Sequence, residues 1–398
     1  MPGKTISEKI LSAKSGRDAR AGDVAICRVD CAMGTDGSVP MALDYFAAMG
    51  GTRVFAPKRV VFALDHYAGD GPTEALHRRM REFAAEQGIR VWEAGEGIGH
   101  QLIIEHGLAP AGSLVLGADS HAVTYGAVNA FGTGIGSSDL AAILVSGEIW
   151  LRVPQSIRVT LAGALPRGVY AKDAALALAA ELGADGATYQ ALEFAGVELP
   201  LDDRLVLANM SVEMGAKNGI FPGAVMPDRD AIYAREIALD LGGVTPQIAL
   251  PHRVDNVTAI GAAAGTPVQM VYLGTCTGGR AGDYHEALRV LRAGGGPAPG
   301  VQLLVTPASR AVMDALVADG TIAAFESMGA IIGAPGCGSC CGTCGPIPGD
   351  GVNVISAANR NFKGRMGNGS ASIFLASPAS CAAAAVRGAI ADPREFDV

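Results

Sequence analysis

A chain of 398 residues that is 49% apolar and 18% charged is long enough for two or three domains with a large buried core, and too apolar for disorder. Its formal charge of −8 and the absence of any dense Lys/Arg run exclude a non-specific nucleic-acid surface, so no nucleic-acid partner is expected. No apolar stretch reaches the ~18 residues of a membrane span, and the N-terminal residues lack the apolar core and cleavage site of a secretory signal; no membrane attachment and a cytoplasmic location are expected.

Short apolar runs alternate with amphipathic segments, the pattern of a parallel sheet covered by helices. Residues 60–64 predict a strand; Leu76, Met80, Phe83 and Ala84 then mark one helix face, which Gly88 ends. Residues 89–92 and 114–117 predict further strands. The cap-type residues Ser137, Ser138 and Asp139 open a helix expected to run to about Trp150. A strand is expected within 154–166, a helix over 171–182 stopped by Gly183, and a linker over 246–257. A last α/β unit follows, with strands at 271–273, 302–305 and 330–332, a helix over 310–318 and a buried small-residue helix at 381–386. The expected division is into three α/β domains, 1–155, 156–255 and 256–398.

The polar signals fall where apolar runs end. Asp65-His66 follows one predicted strand, Asp119-Ser120-His121 a second, Cys276 a third and Cys337 a fourth. Open α/β sheets place their sites outside the carboxyl ends of strands, so one shared cleft is expected.

Eight cysteines in a chain of this kind point to metal or catalysis rather than disulfides. Cys337, Cys340, Cys341 and Cys344 form two back-to-back C-x-x-C spacings. Spacing alone leaves a structural zinc site open, which wants four ligands in tetrahedral array. Interleaved Gly336, Gly338, Gly342 and Gly345 let the backbone approach a bulkier inorganic ion, which favours a cluster. With Cys276, the pair Cys337 and Cys340 makes three thiolates, a set that holds an iron–sulfur cubane and leaves one iron open as a Lewis acid. Cys27, Cys31 and Cys381 read as small buried hydrophobes.

Asp65-His66, His100 and Asp119-Ser120-His121 offer imidazoles beside carboxylates, which hold the ring in one tautomer for proton transfer. Each alone is more often a structural histidine; their joint occurrence ahead of a cysteine cluster favours a site. Residues 131–136 read G-x-G-x-G, which is not the dinucleotide fingerprint and suits close helix packing or an anion at the helix N-terminus. Arg360 and Arg365 carry guanidinium forks that match carboxylates, although that segment alone reads as a solvated basic loop.

In order along the chain, His100-Gln101, residues 117–121 with Tyr125-Gly-Ala, Phe131-Gly-Thr-Gly, residues 185–189, residues 209–217, Gly274-Thr-Cys-Thr, residues 359–367 and Leu375-Ala-Ser-Pro together resemble the aconitase family, and within it the large subunits of 3-isopropylmalate dehydratases. The resemblance spans nearly the whole chain. It implies three α/β/α domains of aconitase type around a central cluster cleft, without the swivel domain. It implies an enzyme, an iron–sulfur hydro-lyase of amino-acid biosynthesis that moves water in a 2- or 3-hydroxy dicarboxylic acid such as isopropylmalate. One [4Fe-4S] cluster per subunit is implied on Cys276, Cys337 and Cys340. Three acid–imidazole pairs are implied: Asp65 with His66, which protonates the departing hydroxyl, His100 with Asp119, and His121 with Glu213. Asn209 and Asn359 are implied beside the cluster, and Ser120, Arg360 and Arg365 on the substrate, the arginines through its carboxylates.

In related enzymes the base is a serine on a separate swivelling domain, for which nothing after Arg365 is long enough. A small swivel-domain subunit, and hence a hetero-oligomer, is the expectation. Gly278 stands where the family usually has Asn, and Cys341 and Cys344 are additional thiols. These departures keep homoaconitate, dimethylmalate, citramalate and maleate open as substrates. A cluster-dependent RNA-binding regulator is the alternative class, and the acidic charge counts against it.

Overall fold

Residues 2–396 are described by a computed structural model; the outermost limits of the expected first and third domains lie outside the described residues. By their contacts the residues divide into two compact units. One takes Met1–Ala94, Gly99–Leu161 and Ala187–Leu239, the other Gly95–Ile98, Ala162–Gly186 and Asp240–Val398.

The first unit is organised by a five-stranded sheet ordered Arg90–Trp92, Val60–Ala63, Cys31–Thr35, Leu114–Gly117, Phe131–Gly134, with every neighbouring pair parallel. Val60–Ala63 and Leu114–Gly117 are buried at every position, because helices cover both faces; such strands read as unbroken apolar runs. The helix Gly71–Gln87 lays His77, Met80 and Ala84 inward at helical spacing and ends on the left-handed Gly88. A four-stranded sheet in the order Asn218–Ile220, Ala191–Gly196, Ser156–Ala162, Arg235–Asp240 lies in the same part of the chain, where Phe194 stacks on Phe221 at 4.5 Å.

The helix opened by Ser137 is shorter than its sequence suggests. It ends at Ser146; Gly147 takes a left-handed φ of +72°, and Glu148–Arg152 pairs antiparallel with Val24–Arg28. Ile149 and Leu151 point inward while Trp150 faces solvent, a period of two that belongs to a strand.

The second unit is organised by a seven-stranded sheet ordered Val257–Ala259, Gln247–Ala249, Ser372–Leu375, Asn353–Ser356, Met270–Gly274, Gln302–Thr306, Ile331–Ile332. The last five are parallel, and Gln247–Ala249 pairs antiparallel with both of its neighbours. The stretch 246–257 is therefore no linker: its three-residue strand hydrogen-bonds on both sides, too short for a periodic signal in the sequence. Val271, Leu273, Leu303, Val305 and Ile355 form the core of this unit, each such side chain contributing about 1.5–3 kcal/mol by its burial. The helix Pro378–Arg387 buries Cys381 and Ala382 to Ala385 completely, and their small side chains let it lie close against the helix Ala281–Ala293.

Both large sheets share one strand order. Numbered within each sheet along the chain, the parallel strands run 3-2-1-4-5. The direction of winding reverses beside the first strand, and the crevice outside the carboxyl ends there is where such folds bind ligands. Among the described residues no helix is long and apolar enough to cross a membrane.

Candidate active site

In the first unit the reversal lies between Cys31–Thr35 and Leu114–Gly117, and an aspartate follows each strand within two residues. Asp36 follows the first; its carboxylate accepts the amides of His66 and Tyr67, both at 3.0 Å, and meets His77 Nε2 at 2.9 Å. Burial, and then the Asp65 charge, raise this carboxyl above its ordinary range. Asp65 meets His66 Nδ1 at 2.7 Å through one oxygen and accepts the Gly99 amide at 2.8 Å through the other. A Cβ at Gly99 would lie 2.3 Å from Met33 Sδ, so only glycine brings that amide so close.

Asp119 ties three imidazoles together. His100 Nε2 is 2.7 Å from its Oδ1, His66 Nε2 3.4 Å from its Oδ2, and His121 donates its amide at 2.8 Å with its ring Nδ1 at 3.6 Å. Burial alone would raise the Asp119 carboxyl; the His100 charge and the bonds from His100, His121 and His66 hold it well below the usual carboxylate range. His100 thus bridges two partners, with Nε2 on Asp119 and Nδ1 2.9 Å from the Tyr125 hydroxyl. His121 Nε2 meets Glu213 at 2.8 Å. Asp65, His66, Asp119, His100, His121 and Glu213 thus form one hydrogen-bonded chain. Asn209 is fully buried and one step removed, donating to the Thr124 hydroxyl, which in turn donates to the His121 carbonyl. Ser120 lines a cavity of about 450 Å³ with Thr133, Gly134, Val212 and Lys217.

In the second unit the equivalent reversal lies between Met270–Gly274 and Asn353–Ser356. Cys276 sits on the helical turn Thr275–Gly278 directly after the first of these strands. Thr275 adopts a left-handed φ of +80°, rare for a branched residue, and its hydroxyl accepts the amides of Thr277 and Gly278. Arg280 closes the turn by donating to the carbonyls of Cys276 at 2.8 Å and Thr277 at 3.1 Å. Asn359, just beyond the neighbouring strand, donates to Cys276 Sγ at 3.4 Å and to the Thr277 hydroxyl at 2.9 Å.

Cys337 and Cys340 follow the edge strand Ile331–Ile332. Tyr272 donates its hydroxyl to the Cys337 carbonyl at 2.8 Å, and Arg365 Nη2 donates to Cys340 Sγ at 3.4 Å. Burial would lower the Arg365 guanidinium, but the Cys340 charge beside it holds it above its ordinary value. Cys276, Cys337 and Cys340 are all less than a tenth exposed; Cys276 and Cys337 share a small buried cluster with Ile98 and Ala308, and Cys341 and Cys344 pack against it. Cys344 Sγ lies 3.2 Å from the Gly338 carbonyl and Cys341 Sγ 2.8 Å from the Thr343 hydroxyl. Arg360 is half-buried on the turn that carries Asn359. Cys27, Cys31 and Cys381 are buried, and burial pushes the first two thiols up to about 11 and 12.

The profile of the aconitase family (aconitate hydratase) matches residues 8–225 and 261–388. The chain belongs to the aconitase family. Among its relatives, 3-isopropylmalate dehydratase large subunit 2 of Archaeoglobus fulgidus is 46% identical, over 99% of this chain and 100% of that one. A 3-isopropylmalate dehydratase large subunit 1 of Thermotoga maritima is 45% identical over the same shares, and the homoaconitase large subunit of Thermus thermophilus is 44% identical over 99% and 98%. Aconitase X of Thermococcus kodakaraensis has a similar fold, with a TM-score of 0.56 at 17% identity over 89% of this chain and 88% of that one. This aconitase-family chain is a hydro-lyase.

Several members of the network escape a reading of the sequence. Asp36 has no local signal; its partners come from the next strand end and from a helix 41 residues away. His77 could be found from its place on the buried face of an otherwise charged helix. Tyr125, Thr277 and Arg280 lie inside recognisable motifs and act only through geometry.

Proposed function

We propose that this chain is the cluster-bearing large subunit of a hydro-lyase that removes water from a 2- or 3-hydroxy dicarboxylic acid and returns it, with isopropylmalate the first substrate to test. The observation that carries the reading is the pairing of buried sulfurs with N–H donors: Asn359 on Cys276 and Arg365 on Cys340. Such donors favour the thiolate, the form in which cysteine binds metal. The residues fit an iron–sulfur group in a second respect. A Cβ at Gly338 would lie 2.5 Å from the Tyr272 hydroxyl, so glycine alone lets the Cys337–Cys340 turn close down as it does.

When bound, a [4Fe-4S] cluster on Cys276, Cys337 and Cys340 supplies a Lewis-acidic iron with an open position for an oxygen ligand. The remaining work falls to the protein. His66 protonates the departing hydroxyl, because hydroxide is a poor leaving group; Asp65 at its Nδ1 fixes the ring so that Nε2 is the working nitrogen. Asp119 keeps His66, His100 and His121 in one mutual orientation, and Glu213 anchors His121. Arg360 and Arg365 take the substrate carboxylates, and Ser120, Asn209 and Asn359 orient its oxygens. The base that removes the proton from carbon comes from a small swivel-type subunit, so the working enzyme is a hetero-oligomer, and its location is cytoplasmic. The large-subunit names of the relatives support this arrangement. The division at 155/156 and 255/256 into three domains belongs to the same reading.

The test is metal and sulfide analysis of protein purified without air, followed by alkene formation with a candidate small subunit added. About four iron and four sulfide per chain, and turnover of isopropylmalate only with the second subunit, are expected. Zinc without sulfide would defeat the cluster, and faster turnover of homoaconitate would move the substrate assignment.

A further inference from the structure

The helix Ala171–Leu182 opens with two buried ionisable residues, Lys172 at 3% and Asp173 at 0% exposure. Asp173 spends its carboxylate on the amides of Tyr170 and Gln247, 2.9 and 2.8 Å away. Lys172 forms no ion pair among the described residues. Its ammonium donates to two backbone carbonyls, Ala357 at 3.1 Å and Ala358 at closer range. An ammonium buried with no direct ion pair is costly, and the charges of Asp283 and of the Cys276 and Cys340 sulfurs offset only part of that cost; a methionine of similar length would fill the space without it.

The two carbonyls are placed where direction matters. They belong to the first residues after the strand Asn353–Ser356, at the reversal of the seven-stranded sheet, and the next two residues are Asn359 and Arg360. The same segment also packs on the Cys276 turn: a Cβ at Gly278 would lie 2.8 Å from Ala357 Cβ and 3.1 Å from its carbonyl oxygen. Lys172 holds the segment, and the absence of a side chain at Gly278 admits it. Burial lowers Lys172 to about 8, which leaves it mostly protonated at neutral pH with donors for both carbonyls.

We infer that Lys172 is a positioning residue whose ammonium fixes the Ala357 and Ala358 carbonyls, so that Asn359 meets Cys276 and Arg360 meets the substrate; the role of Arg360 rests on the function proposed above. The first measurement needs neither cluster nor substrate. In cluster-free Lys172→Met, backbone amides of residues 359–361 should exchange about tenfold faster than in the parent, with the strand Gln302–Thr306 unchanged. Lys172→Arg, which keeps the donors, should restore most of the protection. Unchanged exchange at 359–361, or equal loosening across the whole unit, would overturn the inference. If Lys172→Met fails to fold, Lys172→Gln is read the same way, with the same two outcomes. In the reconstituted enzyme, Lys172→Met should raise KM about tenfold with a smaller fall in kcat and unchanged iron content. A fall in kcat alone would count against positioning through Arg360. Should the parent show no hydro-lyase activity, the proposed function fails while the exchange measurement still decides the hold of Lys172 on residues 359–361.

Discussion

The two large sheets of this chain share a strand order and differ in what they put at its reversal. The first unit places Asp36, Asp65, His66 and Asp119 at carboxyl strand ends; the second places Cys276, Cys337 and Asn359 there. In the first, negative charge is answered by imidazoles, with Asp119 serving three of them. In the second, sulfur is answered by an amide and a guanidinium. Topology sets where a site is built, and side chains set whether it handles protons or a metal group.

The sharpest way to break this contrast is at sulfur. Cys340→Ser should lose the cluster and all activity, while Cys344→Ser keeps its iron and measurable turnover, as read by iron analysis and assay of the reconstituted proteins. Loss of iron in both would mean that the ligand set has been chosen wrongly.

Next in size is Asp119→Asn, which takes the charge from the centre of the imidazole chain and should cost about 10²–10⁴ in kcat. Its effect on stability has a pH signature. The folded chain holds this carboxyl below its ordinary value, so its stabilising contribution is present above pH ~4 and fades as acid protonates it. Denaturation of the two proteins should therefore differ most at neutral pH and converge in acid; a constant gap would show that the charge of Asp119 is not what stabilises the chain.

The smallest effect is expected at Arg365→Lys. An ammonium can still approach Cys340 but cannot give a carboxylate two parallel bonds, so KM should rise about tenfold with a modest loss of kcat. Unchanged steady-state kinetics would remove Arg365 from substrate binding and leave it a partner of sulfur alone.

Much of this was legible in the sequence because the signals are local. Apolar runs fully buried in parallel sheets, such as residues 60–63 and 114–117, announce themselves, and so do thiols interleaved with glycine. Local signals also misled: alternation after Gly147 hid inside an apolar run that began as a helix, and a three-residue strand at 247–249 had no period to show.

By itself the sequence determined the alternation of strands and helices, the glycine-interleaved thiols and the acid–imidazole types, since each depends on neighbours within a few positions. Only the tertiary structure decided that Asp36 would anchor His77, that Asp119 would join three rings and that Lys172 would grip carbonyls 185 and 186 residues away. Those bonds follow from which strand ends the winding of each sheet brings together, and a buried polar group must find its partner there whatever the distance along the chain.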